Sequence, residues 1–190
     1  MNIFVLDLDP IKCSKYLCDI HLNKMVTEHT QMLANCFKPE TLKHATKTQK
    51  GTERKYSYYN HPCSVWLRKD IANFKWLCRY TLAMLDERMF RGFKDHFCEE
   101  FVKMCSLQKP DNLEGYSDEI TDFALAMPEQ YKEKDIVNSY RSYYIMEKQR
   151  DKRGKWMLYY SHRELPEWFP KELKERCENE SLLRNKKTKS

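Results

Sequence analysis

Glycine is scarce in this chain: 190 residues contain only four. That argues against a glycine-rich phosphate loop and against a turn-dense β sandwich. None of the eight cysteines forms a C-x-x-C pair, so neither a zinc ribbon nor a thioredoxin-type redox site is expected. No stretch holds 18 consecutive apolar residues, as a transmembrane helix would. The opening MNIFVLDLDP has no basic n-region and meets Asp7 after a few apolar residues, unlike a secretory signal. The cysteines are therefore expected to be reduced thiols, packed as small hydrophobes, in a cytoplasmic protein. Histidines in H-x-x-x-H or H-E-x-x-H spacing are also missing. No metal and no other cofactor is expected.

What is present is an ordinary globular composition, 41% apolar and 33% charged, which excludes wholesale disorder. A chain of this length can bury a core in one domain without staples. The net charge of +6 is unevenly placed. Residues 95–135 carry eleven acids against four lysines, whereas 38–55 and 141–155 each carry six Lys/Arg against two acids. A basic face with an acidic back suits nucleic acid or nucleotides as partners; a solvated surface is the plainer reading.

Residues 2–8 read as a short buried extended segment, and Asp9-Pro10 as an N-cap with proline at the first helical position. One helix is predicted from Ile11 to about Phe37. With Cys18 as zero, Leu22, Met25, His29, Met32 and Cys36 fall within about 40° of one direction. Lys38 to Asn60 is a polar, basic loop ending in Tyr56, Tyr58 and Tyr59; loops this long in compact domains are commonly binding or mobile segments. Asn60-His61-Pro62 opens a second long helix, capped by Asn60 and running to about Phe90. Further helices are predicted over 94–107, from Ser117 to before Pro128, and over 134–150. Residues 155–169 are aromatic and irregular. The expectation is an all-α, compact multi-helix domain with a short extended N-terminal segment. A single helical domain spans 1–170, and 171–190 form a charged helix ending in a frayed tail, LLRNKKTKS.

The first helix concentrates Asp19, His21, Lys24 and Glu28. His21, Glu28 and Lys24 fall at roughly −60°, −80° and −120° on the same wheel, along one edge of the apolar stripe. Ionisable groups at such a seam have shifted pKa values and mark a functional site, or they form a structural Lys24–Glu28 pair at i,i+4. Asn73 falls inside the apolar face of the second helix, where a buried amide needs partners in a ligand or in the backbone of the first helix. Tyr140, Arg141, Tyr143, Tyr144 and Lys148 interleave aromatics with cations, as binding of single strands or extrahelical bases requires; core packing is the plainer reading. FVLDLDP carries an Asp-x-Asp of the haloacid-dehalogenase kind, without that fold's αβ repeats.

Asp19-Ile20-His21-Leu22, with Glu28 seven residues after the histidine, resembles the pyrimidine-dimer DNA glycosylase/AP-lyase superfamily. Glu87, Arg91, Gly92 and Phe93 match that family's E-x-x-x-R-G-F, Asn60-His61-Pro62 its N-H-P, and Tyr140 to Tyr144 its C-terminal aromatics. A second resemblance, to uncharacterised proteins of phages and other large viruses, rests on Cys18 to Met25, Asn60 to Pro62, Ala126 to Pro128 and Tyr143 to Lys148. The glycosylase resemblance implies attack on an N-glycosidic bond of DNA or a nucleotide by an amine, at the N-terminus (Met1, or Asn2 after methionine removal) or on Lys24. It implies that Glu28 stabilises the developing charge and moves protons, and that His21 orients Glu28 or donates to the base. Asn60, His61, Arg141, Tyr143, Tyr144 and Lys148 would contact nucleic acid. The family's arginines beside its glutamate fall on Thr27 and Gln31 here. Two alternatives stand beside this reading. One is a non-catalytic nucleic-acid-binding or phage–host interaction protein, and the other a metal-dependent hydrolase using His21, Glu28 and His61. The protein is expected to be a monomer, and the phage resemblance would place it in the host cytoplasm.

Overall fold

The structure, a computed structural model, describes residues 1–187, with side chains described as far as Arg184. It is all-α: among the described residues there are eight α-helices, one 3-10 turn and no strand. The helices are α1 (Pro10–Tyr16), α2 (Asp19–Ala34), α3 (Pro39–Lys43), α4 (Pro62–Lys69), α5 (Ile71–Phe90), α6 (Glu99–Leu107), α7 (Ile136–Glu147) and α8 (Lys171–Lys187). Asp9 caps α1 as expected, accepting from the N–H groups of Ile11 and Lys12. The central element is α5, against which α1, α2, α4 and α6 all pack. Ile3, Val5 and Leu6, outside any helix, join the same core as Leu22, Met32, Leu77 and Tyr80. All eight cysteines are free and buried.

Both long predicted helices are broken. The first stops at Leu17 and Cys18, whose ψ angles of 134° and 161° are extended. No proline or glycine marks the spot. Distant groups instead satisfy the backbone that the break frees. Arg91 donates to the carbonyls of Lys15 and Leu17 (2.9 Å each), the Tyr144 hydroxyl accepts from Cys18 N–H (3.0 Å), and Tyr159 C=O accepts from Asp19 N–H (2.8 Å). The second breaks at Asp70 (φ −154°, ψ 151°), which caps α5 by accepting from Ala72 N–H. Here residues 114–117 run alongside. Glu114 N–H donates to Arg68 C=O, Ile71 N–H to Gly115 C=O, and Ser117 N–H to the Asp70 carboxylate. Gly115 is required by this approach, since a Cβ would lie 2.6 Å from Asp70 Oδ2 and 2.8 Å from Lys69 O.

Other boundaries move for local reasons. The cap of α4 is His61, not Asn60: its Nδ1 accepts from Cys63 N–H at 3.2 Å, while Asn60 is exposed. The predicted 94–107 helix begins only at Glu99, and the 134–150 helix narrows to Ile136–Glu147. The loop after α2 gains one short helix, α3. No helix forms between Ser117 and Pro128. That segment is instead tethered along its length. Asn73 accepts from Thr121 N–H, Tyr140 donates to Ala124 C=O, and Asn2 Nδ2 donates to Ala126 C=O. Asn73 also donates to Trp66 C=O (2.7 Å), so its buried amide clamps α4 and this segment rather than the first helix. The charged C-terminal helix forms and reaches Lys187, past the start of the expected tail; residues 188–190 of that tail lie outside the described residues.

The E-x-x-x-R-G-F residues close α5. Gly92 takes φ 79°, Gly92 N–H donates to Met89 C=O and Phe93 N–H to Arg88 C=O, the bonding of a Schellman cap. Arg91 is buried and pairs with Glu87 (2.7 Å) and Asp19 (3.0 Å), while Arg163 forks onto both Glu87 oxygens (2.8 Å each). Burial works to raise the Glu87 pKa, but the hydrogen bonds from Arg163 and Arg91 outweigh it and hold the carboxyl below its ordinary value. Removing one partner of such a network strands the other charges in the interior. Arg91→Met should therefore cost about 3–5 kcal/mol of stability, read from urea unfolding midpoints.

Candidate active site

Glu28 lies on α2 with its side chain 14% exposed, and its two oxygens are divided between two amines. Oε1 faces Lys24 Nζ at 3.1 Å. Oε2 accepts from the Asn2 backbone N–H at 3.1 Å and lies 3.5 Å from the Met1 amine. The chain start is held there by the Asn2 side chain. Its Oδ1 accepts from the N–H groups of Ile3 (2.7 Å) and Phe4 (3.1 Å), and its Nδ2 donates to Ala126 C=O (2.8 Å). This turn places Phe4 at φ 39°, a strained conformation for a side-chain-bearing residue. Lys24 is 66% exposed, so its pairing with Glu28 is screened and contributes at most about 1 kcal/mol.

These groups open into a cavity of about 460 Å³ lined by Met1, Asn2, Phe4, His21, Lys24 and Glu28 on one side. The other side is Tyr143, Glu147 and Lys148 of α7 together with Arg150 to Arg153 and Met157. The turn bearing Lys152 and Arg153 is rigidly built. The Asp151 carboxylate accepts from the N–H groups of Arg153 (2.8 Å) and Lys155 (2.9 Å), and Arg150 donates to Gly154 C=O and pairs with Glu180 of α8. The rim is therefore mainly cationic and preorganised.

His21 borders the cavity but is almost wholly buried. Its Nδ1 lies 2.7 Å from the Tyr144 hydroxyl and 3.3 Å from Cys18 Sγ. Burial, and then the charges of Lys148 and Lys24, push its pKa down to about 3. His21 is thus neutral at physiological pH. The Tyr144 hydroxyl accepts from Cys18 N–H and also reaches His21 Nδ1 and, at 3.2 Å, Cys18 Sγ, so these three residues form one buried network. No hydrogen bond joins His21 to Glu28, so orientation of the carboxylate falls to the chain start and Lys24.

The other expected contacts divide. Tyr143 and Lys148 line the cavity, with the Lys148 ammonium 4.4 Å from the Tyr143 ring centre. Tyr144 is fully buried and serves His21 and Cys18, leaving no face for a base. Arg141 points elsewhere: it donates to Leu6 C=O (2.9 Å), pairs with Asp7 and lies 5.0 Å from the Trp168 ring centre. Asn60 is exposed, and half-buried His61 caps α4. His61 has a lowered pKa through burial and then the nearby N-terminal ammonium, against the opposing charge of Glu28. Asp19 is drawn away from Glu28 into the Arg91 network, accepting also from Ser161. Among the described residues, no three of His, Cys, Asp and Glu converge as metal ligands would. Sequence patterning does not mark Phe4, Glu147 or Met157 as cavity residues, which they become only through tertiary packing.

This is an all-α scaffold with a carboxylate held between amines under a cationic rim. A family model described as pyrimidine dimer DNA glycosylase matches residues 1–99, more than half of the chain, and the chain belongs to that family. No curated protein and no solved structure matches it. The match contains the chain start, Glu28, and Asp19, Glu87 and Arg91 of the buried network; Arg163, α7 and the 150–157 wall of the cavity lie beyond it.

The buried imidazoles set a pH dependence. His29 is fully buried, its Nδ1 bonded to Thr81, and burial pushes its pKa down to about 3. Below the ordinary histidine value of 6.5 the unfolded chain takes up protons at His21 and His29 that the folded protein refuses, down to about pH 3. Stability present above pH 6.5 is therefore lost as the pH falls, at up to about 1.4 kcal/mol per pH unit for each histidine. Urea midpoints measured between pH 7 and 5, before most carboxylates titrate, should fall steadily, and the His21 and His29 NMR shifts should not titrate in that range.

Proposed function

We propose that the protein is a DNA glycosylase with lyase-type chemistry, acting on damaged or abasic nucleotides through an amine nucleophile beside Glu28. The observation that carries this is the Glu28 carboxylate, which touches the N-terminal amine through one oxygen and Lys24 through the other. The amine's lone pair forms a bond to the sugar C1′ while the bond from C1′ to the base breaks. The base leaves with that electron pair and takes up a proton. Loss of the amine proton and opening of the sugar ring then leave an imine. A carboxylate a few ångströms from the developing positive charge stabilises it, as in other oxocarbenium-like reactions. His21, being neutral, contributes hydrogen bonding rather than charge. If Met1 is removed, the amine of Asn2 starts from a nitrogen already 3.1 Å from Glu28.

Borohydride reduces an imine to a stable adduct. Incubation with abasic or damaged DNA and borohydride, followed by mass spectrometry, should give a cross-link on the N-terminal residue or on Lys24. Its absence on every such DNA would overturn the lyase chemistry. Glu28→Gln keeps the shape but removes the charge, and should lower turnover by about 10²–10³ while DNA affinity survives. If Glu28 were only a partner for Lys24, the same change would lower Tm and leave turnover per folded molecule intact.

The cationic rim supplies the cations that meet phosphates in this reading. Changing Lys148 and Lys152 to glutamine should weaken DNA binding on every sequence. It should also flatten the dependence of log affinity on log salt by about 0.9 for each phosphate that is no longer neutralised. An unchanged salt slope would move the phosphate track to residues 38–55.

A further inference from the structure

A cleft of about 620 Å³ lies between α5 and α6, and its lining shares no residue with the cavity around Glu28. We propose that this cleft binds a small free ligand made of an aliphatic chain and a terminal carboxylate, with the chain along α5 and the carboxylate on Arg79. The proposal goes beyond the glycosylase reading and does not depend on it.

The floor of the cleft is apolar and uncharged. Ile71, Phe74, Cys78 and Leu82 follow one another at helical spacing on α5, and Cys105 of α6 and Pro110 complete the surface. Phe74, Cys78 and Cys105 are almost wholly buried. Burial pushes both thiols well above their ordinary pKa, so they stay neutral and act as small hydrophobes. The lined stretch of α5 covers three turns, about 16 Å, which suits an extended chain. Leu107, the last residue of α6, stands at the lip with 88% of its surface in water, and an occupant of the cleft would cover it.

The far wall is already in place. Asn112 N–H donates to Cys36 C=O (3.0 Å), Glu114 N–H to Arg68 C=O (2.8 Å), Ile71 N–H to Gly115 C=O (3.1 Å), and the Tyr116 hydroxyl to Pro110 C=O (3.2 Å). A ligand therefore has no loop to order, and the volume falls within the range of about 300–1,000 Å³ that small-molecule sites occupy.

Charge decides what kind of ligand fits. Three cations, Lys75, Arg79 and Lys109, stand at the cleft against one acid, Asp118. Asp118 is taken by Lys75 at 3.7 Å, and the Lys109 ammonium lies 4.5 Å from the Tyr116 ring centre. Arg79 alone of the three has no partner among the described residues. Its guanidinium offers the paired donors that match a carboxylate. A polyanion such as nucleic acid suits the place poorly, because the adjoining stretch 111–122 carries five acids and no Lys or Arg. A single small anion on an apolar chain meets both the trough and the unpaired guanidinium.

The test is calorimetric titration of the full chain with sodium decanoate below its micellar concentration, together with amide NMR shifts. Decanoate should bind one to one, with shifts confined to α5, α6 and residues 107–118. Decanol and decyltrimethylammonium, which carry the same chain without the negative charge, should bind at least about tenfold more weakly. Arg79→Gln should weaken decanoate binding by about tenfold or more and leave decanol unchanged. Arg79→Glu should reverse the preference, toward decyltrimethylammonium. Leu107→Asp brings a negative charge to the apolar lip and should weaken decanoate by a similar factor. Both positions are exposed, so Tm should stay within about 2 °C in every variant. Equal binding of decanol, undiminished decanoate binding by the Arg79 and Leu107 variants, or shifts spread beyond the cleft would overturn the proposal. So would binding to phosphatidylglycerol vesicles without binding to monomeric decanoate, which would make this face a membrane contact. An Arg79→Gln protein that loses affinity for a DNA duplex while its decanoate binding is unchanged would overturn it in favour of a phosphate contact. No readout uses turnover, so failure of the chemistry at Glu28 leaves these outcomes unmoved.

Discussion

A single buried guanidinium decides how the N-terminal half of this protein is arranged. Arg91, at the end of α5, takes the carbonyls of Lys15 and Leu17 and the carboxylates of Glu87 and Asp19. Those carbonyls are the ones that a continuous first helix would have used itself. By donating to them, Arg91 makes the break between α1 and α2 tolerable, and the break sets the direction in which α2 leaves. The faces of His21, Lys24 and Glu28 follow from that direction. A charge this deep is costly unless every donor is met, and here each of its nitrogens has an acceptor. That explains why the Glu-x-x-x-Arg-Gly-Phe residues sit far from the cavity yet belong with it: they position the helix that bears the carboxylate.

The carboxylate itself is placed by a second constraint, the turn at the chain start. Asn2 uses its whole side chain to curl residues 1–4, and the curl brings the first amine to Glu28. The carbonyl that anchors Asn2 belongs to Ala126, in a segment with no regular structure. The Ala-Met-Pro of that segment thus acquires a physical meaning as an anchor for the chain start. The far wall of the cavity comes from α7 and the 150–157 turn, so the site is completed by the half of the chain outside the family match.

Much of this is legible in the sequence. The 3.6-residue period identifies α2 and α5, and Asp9-Pro10 marks the start of α1 by its capping chemistry. The shared wheel edge of His21, Lys24 and Glu28 corresponds to the one cavity that all three line. Asp19 stands near them in sequence and wheel angle, yet Arg91 and Ser161 pull it into the interior. Tyr144 departs from expectation for the same kind of reason. Three tyrosines within five residues look equivalent, but only Tyr143 faces the cavity, because the Tyr144 hydroxyl is claimed by His21 and by the backbone that the α1–α2 break releases.

The sequence by itself determined the class of structure and the residues from which the candidate site is built. Helical periodicity, caps and the spacing of Glu28 from His21 are properties of nearby residues, and they act whatever the rest of the chain does. Tertiary structure decided where the helices break, which nitrogen of His21 is bonded, and which tyrosines are buried. Each of those depends on a hydrogen-bond partner dozens of residues away: Arg91 for Leu17, Gly115 for Ile71, and Tyr144 for His21. A buried polar group must find a partner, and local sequence says that it must without saying which one it finds.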